Sequence, residues 1–160
     1  MKTDSRHDGR GRRPFFELPS AWEALTGNVI GAAMDVHTAL GPGLLERLYE
    51  DAMAHELGLR GISFQRQLDV VIPYKSIQLR GQRIDLIVEN LVVVELKAVD
   101  AVADTHLAQL VSFMRASNTP LGLLINFNVA SLKNGIYRRI NERAFPPEIR
   151  IPKSFTTQPF

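Results

Sequence analysis

The sequence predicts an α/β fold with a mixed central sheet, in which an antiparallel three-strand meander is flanked by helices. Apolar residues recur at helical spacing before residue 60 and again over about 104–117, which indicates amphipathic helices before and after the meander. Between them lie three segments with the alternation or the short apolar runs of strands. A length of 160 residues with 45% hydrophobic content supplies one sizeable core, so a single domain is expected.

Two helices open the predicted domain. From about Ser20 the helical spacing persists to Leu40, where the Gly-Pro-Gly sequence at 41–43 stops the chain. A second helix is expected over residues 44–57, with Gly58 as its end signal. Four of its residues should face inward: Leu45, Leu48, Tyr49 and Ala52.

Three strands are expected next, over residues 64–74, 77–88 and 91–98. The first should turn four alternating residues inward: Leu68, Val70, Ile72 and Tyr74. On the second, Ile84, Leu86 and Val88 should share the core face. Residues 91–96 are too apolar for an edge strand, which places the third strand at the centre of the sheet.

The remaining chain should add a helix and two strands. Asp104 or Thr105 can cap the helix, which runs to about Ser117. It should be followed by a buried apolar strand over 121–127, a turn at 134–135 and a strand over 136–140.

Composition sets the expected domain bounds and the possible chemistry. The domain is predicted to span residues 20–145, between a disordered basic tail over 1–19 and an irregular C-terminal tail over 146–160. The sequence shows neither an apolar run long enough to cross a membrane nor a signal peptide, so a soluble cytoplasmic protein is expected. Without cysteine, any metal must be held by oxygen or imidazole.

Charge is distributed unevenly around a net value of +2. Residues 21–130 hold eight basic and twelve acidic groups, whereas residues 131–160 hold six basic and two acidic groups. Such an acidic middle beside a basic end suits a carboxylate site that handles a polyanion, and Lys133, Arg138 and Arg139 are the predicted phosphate contacts. Basic residues near a terminus also commonly do no more than solvate the surface.

Three charged residues interrupt the apolar strands of the meander. Glu95 and Lys97 lie two residues apart and therefore on one strand face, while Asp85 lies on the preceding strand. Two carboxylates that share a face repel each other, and a divalent cation between them usually makes that arrangement tolerable. A lysine beside them can hold a phosphate oxygen or an attacking water, which indicates metal-dependent phosphodiester hydrolysis.

The alternative is a solvated ladder of cross-strand ion pairs, each of which contributes little. Burial of the strand favours the metal site, because an idle charge pair inside a sheet is costly. The turn matters too, since a two-residue loop over 89–90 would put Asp85 opposite Val94. A three-residue loop over 89–91 with a left-handed residue would put it opposite Glu95, and this loop is predicted.

The order of elements, with Asp85, Glu95 and Lys97 on the middle strands, resembles the PD-(D/E)XK nuclease superfamily. Within it, residues 40–49 fit the pattern of the bacterial GxxExxY proteins through the sequence Leu-Gly-Pro-Gly-Leu-Leu-Glu-Arg-Leu-Tyr. Further motifs that resemble this family lie at residues 83–86, 94–98, 106–110 and 122–127. The resemblance spans roughly residues 26–141, and several motifs in order are far more specific than one.

The resemblance implies a restriction-endonuclease-like core in which Asp85 and Glu95 bind Mg²⁺ or Mn²⁺. Glu46 matches the acid that supplies a further ligand or orients a metal-bound water. Lys97 is expected to stabilise the charge that develops on the phosphate or to hold the water. Gln109 begins a stretch similar to the Q-x-x-x-Y motif of RecB-type members and is expected to support the site, although Phe113 replaces the tyrosine.

Four nearby residues have simpler interpretations. Tyr49 and Phe113 are expected to pack in the core, and His37 to be a hydrogen-bonded core histidine. His106 has two interpretations, since it could face the site or could sit at a helix N-terminus without a function.

The sequence therefore favours a Mg²⁺-dependent nuclease that acts on DNA in preference to RNA. The alternative is a non-catalytic nucleic-acid-binding or assembly subunit that keeps the nuclease fold. A chain of this size touches few base pairs, which is compatible with a homodimer or a larger complex without requiring either.

Overall fold

Five strands form one mixed sheet in the computed structural model, which describes residues 17–149. The strands lie in chain order: β1 Phe64–Tyr74, β2 Ile77–Val88, β3 Val92–Lys97, β4 Leu121–Asn126 and β5 Ile136–Ile140. β3 and β4 run parallel, and all the other neighbours are antiparallel. The mixed sheet with an antiparallel three-strand meander confirms the predicted fold class.

The helices of the described part cover both faces of this sheet: α1 Ser20–Leu40, α2 Glu46–Leu59 and α3 Asp104–Ala116. α3 connects β3 to β4, because a parallel pair needs a long crossover. Val94 packs in the core on the α1 and α2 side, whereas its neighbour Val93 packs against α3. β3 is therefore buried on both faces, as expected for the central strand.

The core extends slightly beyond the first helix. Leu18 is buried and packs with the α1 and α2 side of the core. Residues 1–16 and 150–160, which carry most of the two predicted tails, lie outside the described residues, so those tails stay predictions. In the range 17–149, no helix has the length and apolar character that a membrane span requires.

The inward face of α2 differs from the prediction. Leu45 lies ahead of the helix and is 76% exposed, and Leu48 is 44% exposed. The buried residues are Tyr49, Glu50, Met53 and Leu57. Tyr49, Met53 and Leu57 follow one another at intervals of four, which is the spacing of a single helical stripe, and Leu48 lies off that stripe.

The side-chain alternation along β2 is interrupted at Asp85. Ile84 packs on the α3 side, whereas Leu86 packs on the opposite side, although the two are an even number of residues apart. On the neighbouring strand Gln67 has a left-handed φ of 51° at the same level, between the pairs that Ile84 and Leu86 make with β1. The prediction that Ile84, Leu86 and Val88 share one face is therefore wrong at Ile84.

The β1–β2 hairpin runs past the rest of the sheet. β3 pairs with β2 only over residues 86–88, and every residue from 73 to 83 is exposed. We call residues 73–83 the exposed arm. Tyr74, which was predicted to face inward, lies on it and is 55% exposed. The register shifts between Val70 and Ile72, and Gly81 on the opposite strand has a φ of 118°, as in a β-bulge that increases twist.

Close packing holds the end of β4 beside the end of β3. The Asn126 side chain donates to the carbonyl of Val99 at 2.9 Å and accepts from its amide at 3.0 Å, which braces the chain just after Lys97. On the other side, Gly135 lies so close that a Cβ would overlap the carbonyl oxygen of Asn126.

Gly135→Ala should lower the free energy of unfolding by about 1–3 kcal/mol, because backbone rather than a flexible side chain must move. Gly58→Ala is the matched control, since a Cβ there meets open space inside α2 and should raise stability by about 0.5–1 kcal/mol. Urea denaturation measures both. Equal stability of Gly135→Ala and the unmodified chain would contradict the close contact.

Candidate active site

A three-residue loop brings the two predicted acids opposite each other. Val88 pairs with Val92, so the residues between them, 89–91, form the loop. Its first two residues are left-handed, with φ values of 50° and 53°. Continuing this register outward sets Asp85 opposite Glu95, so the predicted loop is confirmed.

The two carboxylates take over hydrogen bonds that strand pairing would otherwise make. The Leu96 amide donates to Oδ2 of Asp85 at 2.8 Å, and the Asp85 amide donates to Oε1 of Glu95 at 3.3 Å. Backbone pairing of β2 with β3 ends at Leu86 and Val94, so these side chains continue the connection where the ladder stops. Both acids are therefore oriented by main-chain groups.

Lys97 lies between Glu95 and α3. Its Nζ is 3.8 Å from Oε2 of Glu95 and donates to Oε1 of Gln109 at 3.3 Å. The Glu95 side chain is only 3% exposed and that of Lys97 is 14% exposed, so solvent screens this contact weakly. The structure thus brings Asp85, Glu95, Lys97 and Gln109 together, while their roles stay predictions.

Two residues that were not singled out from the sequence extend this network. Glu50 is buried on α2 and accepts from Nε of Arg66 at 3.0 Å and from Nε2 of Gln67 at 2.7 Å. The same Gln67 nitrogen lies 3.5 Å from Oδ1 of Asp85 and so joins the helix acid to the strand acid. Glu50 lies one helical turn after Glu46, and this spacing is the signal that could have found it.

Burial gives both strand acids an unusual affinity for protons. It raises the pKa of Glu95 from 4.5 to about 8, with repulsion from Asp85 as the next contribution. Burial is also the main reason that the pKa of Asp85 rises from 3.8 to about 6, while the Leu96 amide opposes the rise and Glu46 and Glu50 add to it. Lys97 offsets only part of this negative charge.

These donors fit a hard divalent cation. Mg²⁺ commonly binds through one or two carboxylates and keeps several waters, which is what a facing Asp85 and Glu95 can offer. Among the described residues, however, no three acidic or imidazole side chains converge closely enough to hold a metal ion. Glu46 is near enough to raise the pKa of both acids, yet it does not complete a three-ligand group with them.

The three predicted phosphate contacts lie away from this pair. Arg138 and Arg139 are on β5, which β4 separates from β3. Arg138 forms an ion pair with Glu23 at 3.0 Å, and Arg139 donates to the carbonyl of Arg138 at 2.8 Å. Lys133 is exposed in the 3₁₀ turn that precedes β5. The structure does not bring these residues into the carboxylate site.

The two aromatic residues that were expected to pack do so. Tyr49 stacks on Phe127 with ring centroids 4.4 Å apart, and its hydroxyl donates to the carbonyl of Gly41 at 2.5 Å. The same hydroxyl accepts from the Leu44 amide at 3.2 Å, so Tyr49 ties the loop between α1 and α2 to the core. Phe113 is fully buried on the inward side of α3.

The two histidines have structural partners. A ring nitrogen of His37 lies 2.8 Å from the carbonyl oxygen of Val129, as expected for a satisfied core histidine. Nδ1 of His106 accepts from the Ala103 amide at 3.1 Å and so closes the first turn of α3. This favours the helix-terminus interpretation of His106, and it is His106 rather than Asp104 or Thr105 that makes the capping contact.

A sheet covered by helices on both faces, whose central hairpin sets an aspartate opposite a Glu-x-Lys pair, is the architecture of a PD-(D/E)XK nuclease domain. A family model described as the PD-(D/E)XK nuclease superfamily matches residues 23–140, and the chain belongs to this superfamily. Its members are usually nucleases that use divalent metals. Searches of curated proteins and of solved structures found no match. The narrower resemblance to GxxExxY proteins stays a prediction.

The raised pKa values predict that stability falls as pH rises. Glu95 and Asp85 have folded-state pKa values of about 8 and about 6, above their ordinary values of 4.5 and 3.8, so the folded chain binds more protons than the unfolded chain in between. The free energy of unfolding should therefore decrease between about pH 4 and about pH 8 and level off above.

Chemical denaturation at a series of pH values measures this decrease. Glu95→Gln should remove most of it, and the difference between the two proteins isolates this pair from other titrating groups. Parallel stability curves for the variant and the unmodified chain would contradict the raised pKa of Glu95.

Proposed function

We propose that this protein is a Mg²⁺-dependent nuclease that hydrolyses phosphodiester bonds, with DNA as its preferred substrate. The observation that carries the proposal is the facing pair of Asp85 and Glu95, with Lys97 3.8 Å from the second acid. Burial raises the pKa of both acids, and perturbed pKa values of this kind cluster at functional sites. Membership of a nuclease superfamily supports the same conclusion.

Asp85 and Glu95 would hold the metal. The amide hydrogen bonds engage Oδ2 of Asp85 and Oε1 of Glu95. The second oxygens are Oδ1 of Asp85, which lies near Gln67, and Oε2 of Glu95, which lies near Lys97. Glu46 would act through a metal-bound water, which agrees with its position outside direct contact. When bound, the metal would neutralise a phosphate oxygen and lower the pKa of a bound water.

Lys97 supplies a positively charged side chain at the carboxylate pair, in addition to the charge of the metal. Its ammonium group is held between Gln109 and Glu95 and is partly desolvated, so its attraction for a phosphate oxygen is stronger than that of a surface lysine. Gln109 fixes where that charge stands. In this arrangement no side chain of the site has to act as the nucleophile, because water attacks.

A second candidate, a non-catalytic nucleic-acid-binding or assembly subunit, is favoured by one observation. The described residues contain no ready group of three ligands around Asp85 and Glu95. In this case a homodimer or a larger complex would be the functional unit, and the carboxylate pair would remain without turnover.

Metal titration decides between the two candidates. With Mg²⁺ or Mn²⁺, the unmodified chain should cleave DNA, and Asp85→Asn or Glu95→Gln should lower the rate by about 100-fold or more because either change removes a metal ligand. Both variants should be as stable as the unmodified chain or more stable, since each relieves repulsion. Glu148→Gln, which alters an exposed acid after β5, is the control and should leave the rate unchanged.

Two results would reject the catalytic proposal. One is the absence of cleavage of single- and double-stranded DNA and RNA by the unmodified chain with either metal. The other is a marked loss of stability in both acid variants, which would indicate a structural ion-pair network.

The role of Lys97 can be tested separately. Lys97→Ala should lower kcat by about 10²–10³, because it removes a charge that acts on the reacting phosphate, while Mn²⁺ should bind as tightly as before or more tightly. Arg60→Ala, at a cation that pairs with Asp35 and Glu56, should leave kcat unchanged. Isothermal titration gives the Mn²⁺ affinity, and steady-state cleavage gives kcat. Weaker Mn²⁺ binding with normal cleavage would sink the assignment.

A further inference from the structure

We propose that the exposed arm, residues 73–83, is a contact surface for duplex nucleic acid. The inference rests on the proposed function and deepens it, because it names the form of the substrate and a binding surface outside the carboxylate site. The arm was not among the basic regions that the sequence singled out. Its shape, its charge and its connection to β2 carry the argument.

The shape of the arm is that of a free two-stranded ribbon. Tyr74 pairs with Ile77 and Pro73 with Gln78, so the strands stay hydrogen-bonded to the tip. Every residue from 73 to 83 is exposed, and β3 has already left the pairing at residue 86. An antiparallel ribbon of two strands is one of the two protein elements that the major groove of B-DNA admits.

The tip of the arm carries positive charge that no carboxylate of the described residues neutralises. Lys75 lies over the ring of Tyr74, with Nζ 5.5 Å from its centroid, and Arg80 donates to the amide oxygen of Gln78 at 3.2 Å. Their partners are neutral, whereas Arg83 at the base of the arm is paired with Asp69 at 2.9 Å. Two exposed cations without counter-charge are suited to phosphates.

The two faces of the arm differ in chemistry. Residues that pair across the strands share a face, so Tyr74 and Ile77 lie on one side with Leu79, which is two residues further along β2. Gln78 and Arg80 lie on the other side, and their hydrogen bond agrees with this placement. Amide and guanidinium groups are those that read base edges and hold phosphates in the major groove.

β2 joins the arm directly to the proposed catalytic pair. The strand runs without a break from Ile77 to Val88 and includes Asp85. Eight residues separate Ile77 from Asp85, which at about 3.3 Å per residue is a reach of roughly 26 Å. That reach equals about 7–8 base pairs at about 3.4 Å each, so a duplex that touches both the arm and the carboxylate pair must be longer than this.

The test compares duplex binding by the unmodified chain and by a Lys75→Gln/Arg80→Gln variant, measured by fluorescence anisotropy with EDTA so that no cleavage occurs. For a duplex of about 24 base pairs, the variant should bind about 10-fold more weakly, and the slope of log K against log salt should fall by about two. For a duplex of about six base pairs, which cannot reach both surfaces, the two proteins should differ less.

The control is Arg60→Gln/Arg143→Gln, which removes one cation after α2 and one after β5, and thermal melting checks that both variants are folded. Unchanged affinity and salt slope in the arm variant would overturn the inference, as would an equal loss in the control. Sedimentation of Tyr74→Ser/Ile77→Ser is the second measurement. A change in mass with duplex affinity intact would make the apolar face a contact between copies of this chain and would overturn it too.

Failure of the proposed function gives a different pattern. If the unmodified chain cleaves nothing but binds the long duplex, and the arm variant loses that binding, the catalytic proposal fails while the arm remains the binding surface. If the arm variant loses binding but still hydrolyses bis(p-nitrophenyl) phosphate at the unmodified rate, both proposals are supported.

Discussion

The alignment of β2 with β3 determines where the two strand acids stand. One residue more or less in the turn would rotate Asp85 to the opposite face of the sheet, because side chains alternate with every position. The left-handed residues at positions 89 and 90 fix the turn, and the apolar pairs next to it lock the register by packing into both cores. The proposed roles of Asp85, Glu95 and Lys97 all depend on that alignment.

The two buried acids lower the stability of the fold, and the surrounding structure offsets this loss. Two buried acids repel each other, but each also accepts a main-chain amide, and Lys97 stands close to one of them. The large apolar core on both sheet faces provides the stability that such a site consumes. The family match covers residues 23–140. Within that range, the amide hydrogen bonds to Asp85 and Glu95 hold the residues that resemble the family's site.

Strong periodic patterns allowed most of the fold to be predicted, because the apolar character of β3 and the helical spacing of apolar residues leave few arrangements open. Features that depend on the position of a single residue could not be predicted from these patterns. Gln67 has a left-handed backbone at the level of Asp85, which its residue type does not indicate. Leu48 was expected inside, yet the helical stripe set by Tyr49 leaves it exposed. The ion pair of Arg138 with Glu23, 115 residues earlier in the chain, could not be predicted either, because no local pattern joins the two.

The connection from Glu50 through Gln67 to Asp85 makes the acid strength of the site depend on where a helix rests. Glu50 is carried by α2, and its charge raises the pKa of Asp85. A small retreat of α2 from the sheet would weaken that repulsion and leave Asp85 more readily ionised, whereas a closer approach would do the reverse. The proposed affinity of the carboxylate pair for a cation would therefore depend on the position of α2 as well as on the ligands themselves.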